Sequence, residues 1–246
     1  MKENAIKTTA LQERIASQKM QSVDLNEWIF DKLKVNKNPN ILELCCGTGS
    51  QSNFLSKIVK NGTLDCVDIN KETIIENQNY VRNKNINYHV SDIDMVDDYT
   101  SKSLDLIFSS YGFYYSKNPE ILHKRLHENL SDNGKFVIVG PTFGNNIELY
   151  EIMSQIGVKI DDNVLYASEK FMLDMEVNFL KCYGEVNFYR ALNRVSYDSI
   201  DELLKYWENT TFYDADKEGE FMLAAEKFYK NDIVVTKSIS YLEGVI

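Results

Sequence analysis

Between residues 41 and 140, short apolar runs alternate with segments of helical periodicity, and few folds accept that alternation. ILEL (41–44), TLDCVD (63–68), INYHV (86–90), SLDLIFSS (103–110) and KFVIVG (135–140) read as strands. Three helical patterns separate them. Ser50 can cap the first, whose Phe54, Leu55, Ile58 and Val59 share one face and which Gly62 can stop. Asn70 can cap the second, which runs to about Asn83, and Asn118 followed by Pro119 opens the third. SDNG (131–134) then reads as the turn before the fifth strand. Repeated strand–helix units with strands of buried type predict a doubly wound parallel α/β sheet.

The flanks carry a different pattern. Residues 9 to 34 read as two helices broken at SVD (22–24). After Pro141, helical stretches at about 146–156 and 167–182 precede a long strand, EVNFYRALNRV (185–195). Helices around Ile200–Trp207 and Glu218–Tyr229 follow, and DIVVTKSISYL (232–242) closes the chain as a strand. With three prolines and no proline-rich linker, a single domain is expected across 1–246. Its parts are an N-terminal helical cap (1–36), a core (37–141), a helical lid insert (142–184) and C-terminal strands and helices (185–246).

Charge and cysteine usage exclude several classes. A net charge of −10 argues against extended contact with nucleic acid, which needs clustered Lys and Arg. The N-terminal MKENAIKTTALQER has no apolar signal core, and no apolar run approaches the roughly 20 residues that span a bilayer. Cys45, Cys46, Cys66 and Cys182 form no C-x-x-C pair, so neither a zinc site nor a disulfide framework is expected. The expectation is a cytoplasmic protein with reduced thiols, no membrane partner and no metal.

Ligands of open α/β sheets bind at the carboxyl ends of the strands. The first strand ends in Glu43-Leu44-Cys45-Cys46-Gly47-Thr48-Gly49, where glycines let the backbone approach a ligand and a following helix points its amides the same way. The second strand ends in Asp68, an acceptor for ribose hydroxyls, and the third is followed by Asp92, an acceptor for an adenine amino group. Each is weak alone, since a glycine turn needs no ligand and Asp also caps turns. Together they are specific.

These residues resemble the class I S-adenosylmethionine-dependent methyltransferases, whose first motif runs apolar–apolar–acid–apolar–G-x-G-x-G. Here it reads Ile41 to Gly49, with Cys45 where the family has its first glycine. The resemblance covers roughly residues 38–141 and implies a mostly parallel, seven-stranded Rossmann-like sheet with an antiparallel last strand. It also implies S-adenosylmethionine as cofactor. By resemblance Glu43, Cys45, Gly47 and Gly49 hold the methionine part, Asp68 the ribose with Ile69 against the adenine, and Asp92 with Ile93 the adenine edge. LDLIFSSYGFYY is similar to the family's fourth motif, which places Ser109 and Ser110 towards the methyl group. A dinucleotide-binding Rossmann domain is the competing reading, but Glu43 would then repel a pyrophosphate and Asp92 would be surplus. A non-catalytic ligand-binding module is a further alternative.

SSYG is unlike the N-P-P-Y of base-directed amino methyltransferases, so the expected acceptor is an O or N atom of a small molecule; a carrier-bound acyl group or other macromolecule is the alternative. Tyr111 and Tyr115 are candidates to orient the acceptor, and Tyr114, Phe171, Met175, Arg190 and Arg194 to contact it. Phe171 and Met175 equally suit a core, and the arginines equally suit solvent. Lys19 or Gln21, before the first strand, can reach the methionine carboxylate. His123 and His127, an i, i+4 pair, are expected on a solvated helix face.

Overall fold

The computed structural model describes residues 7–17, 20–36, 38–98 and 103–246. Helix α1 (Thr8–Ala16), strand β1 (Met20–Gln21) and α2 (Leu25–Lys32) come first. Then follow β2 (Ile41–Leu44), α3 (Ser50–Ile58), β3 (Leu64–Asp68), α4 (Lys71–Tyr80), β4 (Ile86–Val90), β5 (Leu104–Ser110), α5 (Pro119–His127) and β6 (Leu130–Pro141). The chain continues with α6 (Ile147–Gln155), α7 (Asp162–Glu169), α8 (Phe171–Cys182), β7 (Glu185–Tyr197), α9 (Ile200–Glu208), α10 (Glu218–Phe228) and β8 (Ile233–Val245). Short 3-10 segments cover Ile93–Asp98, Phe113–Tyr115 and Ala215–Lys217.

The strands form one sheet in the order β1-β7-β8-β6-β5-β2-β3-β4. Strands β4, β3, β2, β5 and β6 are mutually parallel. The last strand runs antiparallel to β6, because Thr142 N–H bonds Ser238 O while Ile246 N–H bonds Gly134 O at the other end. The seven expected strands are present, and β1 is an eighth: its two residues pair antiparallel with Ser196 and Val195. Two residues carry no periodicity, so it was unreadable in the sequence. Strand order reverses between β2 and β5, which opens a crevice at their carboxyl ends.

Local differences have local causes. SDNG lies inside β6; Asn133 is left-handed (φ 66°), and the ladder to β5 shifts register between Leu104 and Leu106. A Cβ on Gly134 would sit 2.8 Å from Leu104 O, so this irregularity requires glycine there. At the head of α3, Gly49 rather than Ser50 takes the cap position.

The described residues group into two compact units. The first comprises Leu25–Gly140, Phe171–Arg190 and Ser240–Ile246; the second comprises the described part of Met1–Asp24, with Pro141–Lys170 and Ala191–Ile239. In the first, Leu42, Leu44, Ile107, Phe136 and Ile138 pack with Phe113, Leu122, Phe171, Met175 and Phe179. Phe171 and Met175 are at most 1% exposed, which corrects their assignment to substrate: α8 turns its stripe into this core. Burial of one such side chain is worth about 1.5–3 kcal/mol. The second unit has its own core, with Trp207 stacked on Phe221 (centroids 4.2 Å apart) among Leu149, Ile152, Met153, Leu203 and Val235. Among the described residues no helix is long and apolar enough to cross a membrane.

The histidine pair is not solvated, contrary to expectation. His123 is fully buried, stacks on Phe179 (4.6 Å) and shares a hydrogen bond of 3.0 Å between Nε2 and Tyr183 Oη. His127 Nε2 lies 3.2 Å from Cys182 O. Burial, aided by the charges of His127 and Lys124, pushes the His123 pKa down to about 4. A folded pKa below the unfolded value means that the unfolded chain binds the extra proton. Stability is therefore full above about pH 6.5 and falls as pH drops towards 4. Between pH 7 and pH 5 this group should cost about 2 kcal/mol. Urea midpoints at both pH values should converge in His123→Phe relative to the parent; an unchanged difference would refute the assignment.

Candidate active site

The loop after β2 contains three left-handed residues in five: Cys45 (φ 55°), Gly47 (φ 55°) and Gly49 (φ 93°). Glycine meets this demand freely, whereas a residue with a Cβ is strained by roughly 1–2 kcal/mol. At Gly49 a Cβ would also fall 2.4 Å from Asn77 Oδ1, so the position is closed to larger residues on two counts. Cys45 keeps the left-handed conformation despite its side chain. The space comes from Gly112, after β5, where a Cβ would lie 2.2 Å from Cys45 Cβ. Cys45 and Gly112 are thus a matched pair across the switch point.

Asp68 closes the loop from the side. Its Oδ2 accepts from Gly47 N–H (2.9 Å) and its Oδ1 from Asn70 N–H (2.9 Å). Burial raises the Asp68 pKa, against the lowering effect of these amides. Cys46 N–H bonds Val67 O (3.0 Å), and Ser91 N–H bonds Asp68 O (3.0 Å), linking the ends of β2, β3 and β4. Ile69, 52% exposed, leaves an apolar face open beside Asp68. Asp92 Oδ1 accepts from Asp94 N–H (3.0 Å), while the Ile93 side chain is 6% exposed and belongs to the core. The side-chain contact expected of Ile93 at the adenine edge is therefore corrected: that side chain is packed into the core.

Glu43 is placed beneath the loop. It is 2% exposed, and its Oε2 accepts from Ser52 Oγ (2.5 Å) and Cys66 Sγ (3.4 Å). Asn77 Nδ2 donates to the same Ser52 Oγ (2.9 Å). Burial pushes the Glu43 pKa up to about 7, with Ser52 and Cys66 opposing it. The direct methionine contact expected of Glu43 is corrected to a brace that ties β2 to α3. Sequence reading missed Ser52 and Asn77, because nothing in helical periodicity distinguishes a polar residue that turns inward.

The end of β5 forms the opposite wall. Ser109 Oγ donates to Leu44 O (3.1 Å), so Ser109 is spent on joining β5 to β2, while Ser110 stays half-buried. Tyr111 is left-handed (φ 55°), and its N–H bonds Val139 O (2.8 Å). Tyr114 and Tyr115 share a 3-10 turn, with ring centroids 4.7 Å apart. Asp94, also unforeseen, holds this wall to the β4 loop by accepting from Ser116 Oγ (2.5 Å) and Lys117 N–H (3.0 Å).

Gln21 belongs to the second unit, where its Oε1 accepts from Asn193 Nδ2 (3.0 Å). Lys19 lies outside the described residues. Arg190 and Arg194 are both exposed on β7, with the Arg190 guanidinium 4.9 Å from the Phe188 ring centroid.

A reversed strand order, a left-handed loop leading into a helix, and carboxylates after β3 and β4 define the nucleotide side of a methyl-transfer fold. The comparisons with known proteins support a class I S-adenosylmethionine-dependent methyltransferase. A methyltransferase-domain family model matches residues 41–134. Malonyl-[acyl-carrier protein] O-methyltransferase 1 of Ilyobacter polytropus is 27% identical over 233 residues, covering 86% of this chain and 84% of that protein. A second such enzyme of that organism is 33% identical over 120 residues, covering 48% of this chain and 45% of its own length. Among solved structures, YcgJ of Bacillus subtilis superposes with a TM-score of 0.64 at 13% identity, covering 89% of this chain and 96% of that one.

Gly112→Ala should lower methyl transfer at least ten-fold, because the new Cβ meets Cys45, and Cys45→Gly in the same chain should restore most of it. Failure of the double variant to recover would break the pairing of these positions.

Proposed function

We propose that the chain methylates a carboxylate oxygen of a small aliphatic acyl molecule. The likeness to a malonyl-[acyl-carrier protein] O-methyltransferase along 86% of the chain carries this reading. The placement of the histidines is consistent with it. His89 pairs with Asp65 (2.8 Å), His123 with Tyr183, and His127 with Cys182, so all three are committed elsewhere than the end of β5. A carboxylate is already deprotonated at neutral pH and needs no general base.

The loop fits an adenosyl sulfonium: the cradle is closed to any Cβ at Gly49, the head of α3 offers first-turn amides, and Asp68 stands beside an open apolar Ile69. Gly47 and Gly49 would pass the methionine part, Asp68 the ribose hydroxyls, Ile69 the adenine face, and Asp92 with the backbone at Ile93 the adenine edge. S-adenosylmethionine, when bound, supplies a methyl carbon that the acceptor takes while the bond to sulfur breaks and its electron pair stays on sulfur, leaving S-adenosylhomocysteine. The protein's part is to hold the acceptor in line and dry, which for well-oriented pairs is worth on the order of 7–11 kcal/mol. Tyr111 and Tyr115 orient the acceptor, with Tyr114 beside them and Ser110 at the wall.

A second reading keeps the same carboxylate but places it on an acyl-carrier protein, as the names of the relatives describe for themselves. Incubation with methyl-labelled S-adenosylmethionine, free carboxyacyl thioesters and loaded carrier protein separates the two. Label in the free thioesters supports the small-molecule reading, label only in the carrier supports the second, and label in neither refutes both. Tyr111→Phe and Tyr115→Phe should each lower turnover roughly five- to ten-fold with cofactor affinity intact, the scale of one hydrogen bond. Full turnover in both variants would remove the tyrosines from the reaction. Asp68→Ala should weaken S-adenosylhomocysteine binding by about 1–3 kcal/mol in calorimetry; an unchanged constant would mean that the cofactor lies elsewhere.

A further inference from the structure

The turn that carries Tyr114 and Tyr115 is fixed at its two ends by different parts of the first unit. At its start, Tyr111 N–H bonds Val139 O (2.8 Å) on β6, and the Phe113 side chain is fully buried. Within it, Tyr115 N–H bonds Gly112 O (2.9 Å) and Ser116 N–H bonds Phe113 O (3.2 Å). At its end, Asp94 accepts from Ser116 Oγ (2.5 Å) with Oδ1 and from Lys117 N–H (3.0 Å) with Oδ2. The first anchor belongs to the sheet; the second belongs to the loop after β4.

Asp92, the acceptor proposed for the adenine edge, lies in that same loop. Its Oδ1 accepts from Asp94 N–H (3.0 Å) and its O from Met95 N–H (2.9 Å), so Asp92 and Asp94 share one tight turn. Asp94 O accepts from Arg125 Nη2 of α5 (3.0 Å), and Ser116 Oγ accepts from Asn118 N–H (3.2 Å) at the head of α5. Asp94 thus engages its N–H, its carbonyl and both carboxylate oxygens, and reaches the β4 loop, α5 and the tyrosine turn at once. Hydrogen bonds accepted by a carboxylate are roughly twice as strong as those between neutral groups. Met95, the next residue, is 61% exposed and breaks the 3-10 segment (φ −109°, ψ 22°). Packing does little to fix the loop at that point, and a ligand held by Asp92 has backbone to order there.

Resting on the cofactor reading above, we infer that Asp94 is a positioning residue that couples the two sides of the active site: a nucleoside held at Asp92 fixes Asp94, and Asp94 fixes the turn that presents Tyr115, with Tyr114 beside it, to the acceptor. The in-line geometry of the acceptor then depends on whether the nucleotide side is occupied. The coupling runs through two side-chain hydrogen bonds, and deleting them separates the two sides without removing either.

Hydrogen–deuterium exchange of the full chain, with and without saturating S-adenosylhomocysteine, tests this; calorimetry establishes saturation for each variant. In the parent the ligand should slow exchange across residues 45–53 and, by about three-fold or more, across residues 113–118. Asp94→Ala keeps the N–H to Asp92 and the carbonyl to Arg125 and deletes only the two bonds to the turn. In that variant the ligand should still slow 45–53, while exchange across 113–118 should no longer differ between the two conditions. Ser116→Ala, which leaves the Lys117 bond in place, should keep part of the response. A purely structural brace predicts faster exchange at 113–118 in Asp94→Ala with the ligand's effect preserved, and that result overturns the inference. Protection at 45–53 without protection at 113–118 in the parent also overturns it and leaves the cofactor site standing. Absence of protection at 45–53 in the parent overturns the cofactor reading and the inference with it. Should Asp94→Ala not fold, Asp94→Asn, of equal size with one accepting oxygen, is read in its place: its response at 113–118 should fall clearly below the parent's, and an undiminished response overturns the inference.

Discussion

The left-handed turn at 45–49 is the constraint on which the first unit's ligand side depends. It brings the chain off β2 sharply enough for α3 to start at Ser50, and its geometry is held from three directions. Asp68 accepts from Gly47 N–H, Asn77 fills the space against Gly49, and Cys45 fits the gap left at Gly112. Beneath it, Ser52 is gripped by Glu43 and Asn77 together. The polar groups are buried and paired, so each rigidifies the turn instead of destabilising the core. On the proposed reading a cofactor site needs backbone amides held in place before the ligand arrives, which a braced turn provides.

Around that turn, structure and chemistry divide the labour. Buried residues of β2, β5 and β6 build a core in which α8 and α5 take part, down to a histidine stacked on a phenylalanine. The charged groups that survive burial are few and differ in kind. Glu43 is held by hydroxyl and thiol donors inside the brace, whereas Lys237 meets only neutral oxygens. Glu43 thus has a structural occupation.

The parallel sheet was legible because short strand-like runs alternate with helical patterns, with caps and glycines between them. Asn70 caps α4 and Pro119 opens α5 as the residues predict. Gly47, Gly49, Asp68 and Asp92 lie at or just after the ends of β2, β3 and β4, as the strand pattern predicts. What escaped depends on tertiary contact. The two residues of β1 pair only because β7 is there, and His123 looks solvated by spacing until Phe179 and Tyr183 cover it. Phe171 and Met175 fitted a roof or a core equally, and only packing decided. Asn77 and Asp94 carry no local signal: the contacts that give them their roles join residues at least 22 apart in the chain.

The most direct test is a crystal structure with S-adenosylhomocysteine and a carboxyacyl thioester bound together. The account predicts both ribose hydroxyls on Asp68, the adenine over Ile69, and the acceptor carboxylate in line with the sulfur. A nucleotide bound away from the turn at 45–49, or an acceptor whose carboxylate points away from the sulfur, would contradict it.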